Sequence, residues 1–182
     1  MSDTFSKGWS IASRALSACF LAMPTMIATA YEPRIELQAG PSYMDGRNAT
    51  AIFTEIMGMQ RAIGTAAITW QPVLSLGWIE RRNIPRYEPS CYRTSHNAEL
   101  LAGGGRLHIG SQQTWYQPLF FGFELAYNHQ PTQALSSPYE FVSTLGWQGR
   151  RFSFQLRHIS NGGLHDPNRG ETMALAGLGF TL

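Results

Sequence analysis

His158 and Ser160 stand two residues apart in the run Arg157-His158-Ile159-Ser160-Asn161-Gly162-Gly163-Leu164-His165-Asp166-Pro167-Asn168-Arg169-Gly170-Glu171. A histidine and a serine are the residue types from which a general base and a nucleophile can be made. On a strand, a spacing of two puts both side chains on one side. Spacing alone leaves that chemistry open against a plainer reading, since single His and Ser residues are common where a protein wall meets water. No G-x-S-x-G elbow is present to place a serine as in the α/β-hydrolases. The other histidines, His96, His108, His129 and His165, are scattered without the close spacing of a metal-ligand set, so no metal is expected. Gly103-Gly104-Gly105 lacks a phosphate-loop context and is read as an aid to close strand packing or curvature.

The elements that carry these residues have a period of two. From Trp115 to Tyr127 the odd positions are Trp115, Gln117, Leu119, Phe121, Phe123, Leu125 and Tyr127, against Tyr116, Pro118, Phe120, Gly122, Glu124 and Ala126. The same alternation runs through 35–43, 68–78, 139–147 and 152–160, and the less regular stretches 50–59, 98–110 and 172–182 are compatible with strands. The count is eight. Parity places His158 and Ser160 on the apolar series of Phe152, Phe154 and Leu156.

An apolar stripe points inward in a soluble barrel and outward in a membrane barrel, and parity does not decide between them. Three features favour the membrane: Trp and Tyr bound the stripes, Arg and Glu share the opposite face with small residues, and 178–182 alternates to the last residue. Glu36, Glu124, Glu140 and Arg157 then fall inside a small, side-chain-filled barrel, where they can pair. The expected fold is all-β, an eight-stranded antiparallel up-and-down transmembrane barrel. Connections alternate long (80–96, 128–138, 161–171) and short (111–114, 148–151), which places the long ones on the outer side, with 44–49 the poorest fit.

Composition agrees. Of 182 residues only 14% are charged, against about a quarter in soluble domains. Lys7 and Arg14, the apolar run 15–27 and Ala28-Thr29-Ala30 read as an export signal over residues 1–30, leaving 31–182 as one barrel domain. Leu16-Ser17-Ala18-Cys19 resembles a lipoprotein box, but Arg14 leaves no apolar run ahead of the cysteine. Beyond the signal stand 12 arginines, no lysine and 11 acids, a balance of +1 that gives no support for capture of nucleic acid. Cys91 is then the single cysteine, so no internal disulfide is expected.

The run H-x-S-N-G-G-L followed by P-N-x-G and an acid, made here by His158, Ser160, Asn161, Gly162, Gly163, Leu164, Pro167, Asn168, Gly170 and Glu171, resembles the lipid A 3-O-deacylase family, the PagL type of outer-membrane barrel. The specific match covers about 14 residues, and the rest of the agreement is architectural. The resemblance implies a serine esterase of the outer membrane that removes the ester-linked 3-hydroxyacyl chain at position 3 of lipid A, without metal or other cofactor. Its partner would be lipopolysaccharide of the outer leaflet. Carried over by motif, Ser160 is the nucleophile, His158 the base, and Glu171 the acid that orients the imidazole. Asn161 with the N–H groups of Gly162 and Gly163 is the candidate oxyanion site, and Asn168 braces the loop or the substrate. The chain departs from the family pattern in one place: Gly170 and Glu171 are adjacent, where the family has one more residue between them. Glu171 therefore has the parity of the inner face, and only a bulge or the final turn of the loop would swing it outward. Asp166 is the runner-up for the acid. Arg81, Arg82, Arg86 and Arg93 are candidate partners for lipid A phosphates.

Two other classes stand beside the esterase: a non-catalytic small barrel of the OmpX kind, and a soluble lipocalin-like binding barrel. The sequence does not fix the oligomeric state, a homodimer being one option.

Overall fold

The computed structural model describes residues 32–64, 67–82, 96–110 and 114–182. The expected export signal, Cys91, Arg86 and Arg93 lie outside the described residues. Nine strands run β1 Arg34–Met44, β2 Arg47–Met57, β3 Arg61–Ala62, β4 Ile68–Ile79, β5 Ala98–Ile109, β6 Leu119–Asn128, β7 Tyr139–Gln148, β8 Phe152–Ser160 and β9 Glu171–Thr181. Strand β3 is a two-residue ladder at the foot of β4. The other eight close a ring: each pairs antiparallel with its neighbour in sequence, β2 pairs with β4, and β1 pairs with β9. Closure leaves no long unpaired edge, which is how such a barrel satisfies its backbone without water.

The outward face is apolar. Leu37, Leu74, Leu76, Phe121, Phe123, Leu125, Leu145, Phe152, Phe154, Leu156 and Phe180 are all exposed, and they belong to the alternating series seen in the sequence. Phe123 stacks on Phe141 across β6 and β7 at 6.1 Å between ring centres, and Trp147 on Phe154 across β7 and β8 at 6.2 Å. Tyr43, Trp78, Tyr127 and Tyr139 stand at one end of this belt, and Trp70, Trp115 and Trp147 toward the other. A contiguous apolar wall of this extent has no place in water, and the soluble lipocalin-like alternative fails on it.

The inward face is polar. Glu55 lies between Arg106 and Arg157, whose guanidinium nitrogens both bond its carboxylate, and Gln38 Nε2 donates to it at 2.6 Å. Arg157 lies over the Phe53 ring at 4.4 Å and Arg106 over Phe120 at 4.2 Å. Glu36 accepts from Arg34 (2.8 Å), Gln38 (2.9 Å), Ser153 (2.5 Å) and Gln155 (3.1 Å). All four residues expected inside are there. They do not pair with one another: Arg157 takes Glu55, Glu124 accepts from Ser75 Oγ at 2.6 Å, and Glu140 accepts from the Ser137 N–H at 3.0 Å.

The glycine run 103–105 lies in β5 beside β6. A Cβ on Gly104 would stand 2.1 Å from the Phe123 carbonyl oxygen, so close strand packing is what this position requires.

Connections depart from the expected alternation. The 115–118 stretch is a turn rather than strand, so the β5–β6 connection spans 110–118, and the β2–β4 connection spans 58–67 including β3. The end carrying 80–97, 129–138 and 161–170 also carries the tightest link of all, Asp45-Gly46. Both of its residues have positive φ (46° and 81°), the geometry a two-residue hairpin needs to follow strand twist.

Toward that end the interior changes from charged to apolar. Met44, Ala51, Phe53, Ile79, Ala98, Leu100, Ala126, Val142, Ile159, Met173 and Leu175 form one cluster, and Ala134 and Leu135 of the 129–138 connection join it from above. That connection folds into the mouth: Asn128 Nδ2 donates to the Leu135 carbonyl at 3.1 Å, and the Thr132 N–H to the same carbonyl at 2.8 Å.

Candidate active site on the outer wall

Strand β8 runs without interruption to Ser160, and parity carries through: Phe152, Phe154, Leu156 and His158 are exposed, whereas Ser153, Gln155, Arg157 and Ile159 are buried. His158 and Ser160 thus share the outer wall at the end of an apolar stripe, as the sequence predicts. Across the neighbouring strands, His158 sits in a row made of Ser143 on β7, Thr172 on β9 and Tyr43 on β1. The next row down is Leu145, Leu156 and Ala174, and the next is Trp147, Phe154, Ala176 and Ala39. Polarity changes to grease within one row, about 6.6 Å along the strands.

Below His158 the small side chains of Ala174 and Ala176 leave a shallow open groove on the wall, lined by Phe154, Leu156 and the two alanines. It descends from the polar row along the β8–β9 seam.

The loop 161–170 is held as a unit by Asn161. Its side chain is fully buried: Nδ2 donates to Ser136 Oγ at 3.0 Å and to the His165 carbonyl at 2.9 Å, while Oδ1 accepts the Gly163 N–H at 2.9 Å. Asn168 Oδ1 accepts the Asn161 N–H at 3.0 Å. The amide expected at an oxyanion site, and the Gly163 N–H with it, are therefore committed to loop structure, and Asn168 is tied into the same loop. Of the candidate donors, Gly162 stays at the exposed bend, with φ 66°. Ser136 was not singled out in the sequence. Its role depends on the 129–138 connection folding over the barrel mouth, for which no local pattern speaks.

Glu171 goes the other way. The β8–β9 ladder keeps one register from Phe152↔Leu178 to Ile159↔Glu171, so there is no bulge to turn the residue outward. Its side chain enters the barrel mouth, where the carboxylate accepts from Ser42 Oγ at 2.5 Å and pairs with Arg82 at 3.0 Å. The expectation that Glu171 orients His158 is thus not met. The same contact removes Arg82 from the candidate phosphate partners, since its guanidinium is drawn inward over the lumen. Asp166, the runner-up, lies exposed on the loop. The His158 ring instead meets Thr172: Nδ1 and Oγ1 are 2.9 Å apart.

Gly170 closes the other side of the ring. It has φ 68°, its N–H donates to the Ala134 carbonyl at 2.9 Å, and a Cβ there would stand 2.9 Å from His158 Cε1 and 3.1 Å from the Ile159 carbonyl oxygen. Gly170→Ala is expected to cost about 1–2 kcal/mol through the left-handed backbone alone. It should also lower turnover by about tenfold, by pushing the imidazole aside. Thermal unfolding in detergent and the rate of acyl release check the two parts separately.

Among the described residues no three His, Cys, Asp or Glu side chains gather as a metal site. His108 is inside the barrel near the opposite end, with Nδ1 3.3 Å from the Gln117 carbonyl.

Comparison with known proteins agrees with the barrel fold. The sequence model of the family described as lipid A 3-O-deacylase (PagL) matches residues 111–181, from the connection before β6 to the end of β9. No curated protein matches the chain. A solved structure described as the crystal structure of the outer membrane enzyme PagL shares the fold, with a TM-score of 0.51 at 11% identity over 82% of this chain and 99% of that one. The chain is thus an eight-stranded barrel that is similar to the lipid A 3-O-deacylase family in sequence over residues 111–181 and shares its fold with the solved PagL.

Proposed function

We propose that this protein is an outer-membrane esterase that removes the ester-linked 3-hydroxyacyl chain at position 3 of lipid A, with Ser160 as nucleophile and His158 as base. The observation that carries the reading is the placement of His158 and Ser160 on the lipid-facing wall, at the head of the groove lined by Phe154, Leu156, Ala174 and Ala176. A nucleophile there reaches a substrate by lateral diffusion in the leaflet, and the description of the family matched over residues 111–181, lipid A 3-O-deacylase, supports an acylated lipid as that substrate. Residues 1–30 serve as the export signal, and 31–182 form the membrane-inserted domain.

Chemically, Ser160 Oγ attacks the ester carbonyl while its proton passes to His158 Nε2. The bond from the acyl carbon to the sugar oxygen then breaks, and the same proton is returned to that oxygen as a hydroxyl. Water attacks the acyl-serine and gives a proton to Nε2, the bond from the acyl carbon to Ser160 Oγ breaks, and Nε2 returns the proton to Oγ as the fatty acid leaves. Protein groups supply every proton transfer, with no cofactor required. The Gly162 backbone at the bend after Ser160 is the candidate donor to the oxyanion.

The test is direct. The full chain, folded into vesicles containing lipopolysaccharide, is expected to release one 3-hydroxy fatty acid per lipid A, read by mass spectrometry of both products. A correctly folded barrel that leaves lipid A unchanged in those vesicles would overturn the reading and favour a non-catalytic surface barrel.

A further inference from the structure

We infer that Thr172, and not a carboxylate, is the positioning residue for His158, so that the site is a Ser-His-Thr arrangement. The inference rests on the esterase reading above and names what orients its base. Thr172 lies directly across the β8–β9 ladder from His158, on the same outer face, with Oγ1 2.9 Å from Nδ1. The carboxylate one residue earlier is spoken for: Glu171 is 3% exposed inside the mouth, bonded to Ser42 and paired with Arg82. An unbroken register fixes this division, because adjacent residues on a strand face opposite sides. The closer spacing of Gly170 and Glu171 noted in the sequence thus has a structural outcome: it hands the outward position beside the histidine to a threonine.

The substitution alters the chemistry in a defined way. A carboxylate only accepts hydrogen bonds, so it holds the imidazole with the proton on Nδ1 and leaves Nε2 free to take the serine proton. A threonine hydroxyl accepts equally well, and then acts in the same sense. It also rotates and donates to Nδ1, which leaves the proton on Nε2 and the base unproductive. Thr172 therefore fixes the ring plane while dividing it between two tautomers, and it gives no charge to stabilise the imidazolium formed in the transition state. The enzyme is expected to be correctly built and slow.

Three variants test this on the full-length barrel in lipopolysaccharide vesicles, with kcat and KM measured for acyl release. Thr172→Val, which keeps the shape and loses the hydroxyl, is expected to lower kcat about tenfold with KM within a factor of two, as the loss of one ordinary hydrogen bond implies. Thr172→Ser is expected to restore kcat to within about threefold of wild type. Thr172→Glu supplies an acceptor-only group at the same register position and is expected to raise kcat above wild type. Wild-type kcat in Thr172→Val, a change confined to KM, failure of Thr172→Ser to rescue, or a folded Thr172→Glu barrel slower than wild type would each overturn the inference. Ser160→Ala runs in parallel. If it destroys activity while Thr172→Val is unaffected, only the role of Thr172 falls; if it leaves activity intact, the esterase reading falls and takes this inference with it.

Discussion

Ser160→Ala is expected to reduce acyl release by roughly ten-thousand-fold or more, the scale on which removing a nucleophile acts in other serine hydrolases. The reason is that no other group stands where Ser160 does. It is the last residue of β8 on the outer face, one row above His158 and level with Phe141, and the groove below offers only carbon. Affinity for the substrate should hardly change, because the groove lined by Phe154, Leu156, Ala174 and Ala176 is left intact. The loss should therefore fall on kcat. His158→Ala should do nearly as much damage, and the double variant should be little worse than Ser160→Ala alone, since paired nucleophile and base act as a unit. Mass spectrometry of lipid A from the three variants, with heat-induced gel mobility to verify the folded barrel, checks the set. A double variant that loses the product of the two single factors would mean that the residues work independently, and the pairing would be wrong.

Glu55→Leu is expected to cost stability on the order of 3–5 kcal/mol. Its carboxylate is the shared partner of Arg106 and Arg157 in the middle of the lumen, where all three side chains are buried. Removing it leaves two guanidinium groups facing each other without water, which is far worse than never having had the charges. The sharper comparison is the triple replacement Glu55→Leu, Arg106→Met, Arg157→Met. That variant removes the charges together, and should recover most of the stability lost by Glu55→Leu. Urea unfolding of the barrel in detergent gives both values, and a triple variant no more stable than the single would mean that packing, not unpaired charge, was lost.

How far the sequence carries the structure depends on which residues are considered. The stripes of 68–78, 139–147 and 152–160 are legible because a strand sorts its side chains by parity, and this barrel keeps that parity without a break through β8. The face each stripe takes is decided by the charges of opposite parity, Glu36, Glu55, Arg106 and Arg157, and two of these, Glu55 and Arg106, had drawn no attention. Glu171 is the instructive case. Its own parity pointed inward, correctly, and the motif resemblance pointed outward. The ladder geometry prevails because a side chain cannot change faces without a bulge. Ser136, Ala134 and Leu135 were not legible at all. Ser136 and Ala134 act through contacts to Asn161 and Gly170, two strands and a turn away, Leu135 plugs the mouth between them, and neither composition nor period marks a connection that folds inward.

The two-residue turn at Asp45-Gly46 makes the parapet of the barrel uneven. Strands β8 and β9 are bordered on one side by β7, whose incoming connection fills the mouth and is tied to the 161–170 loop. On the other side they meet the β1–β2 hairpin, which stops as soon as the strands do. Among the described residues the site has a wall on its β7 side and a low rim on its β1 side. On the proposed reading, an amphiphile with a wide sugar head and several tails is expected to come alongside from the β1 flank, its head above the low rim and one tail along the alanine-lined seam. The shortest loop in the molecule thereby gives the approach its direction.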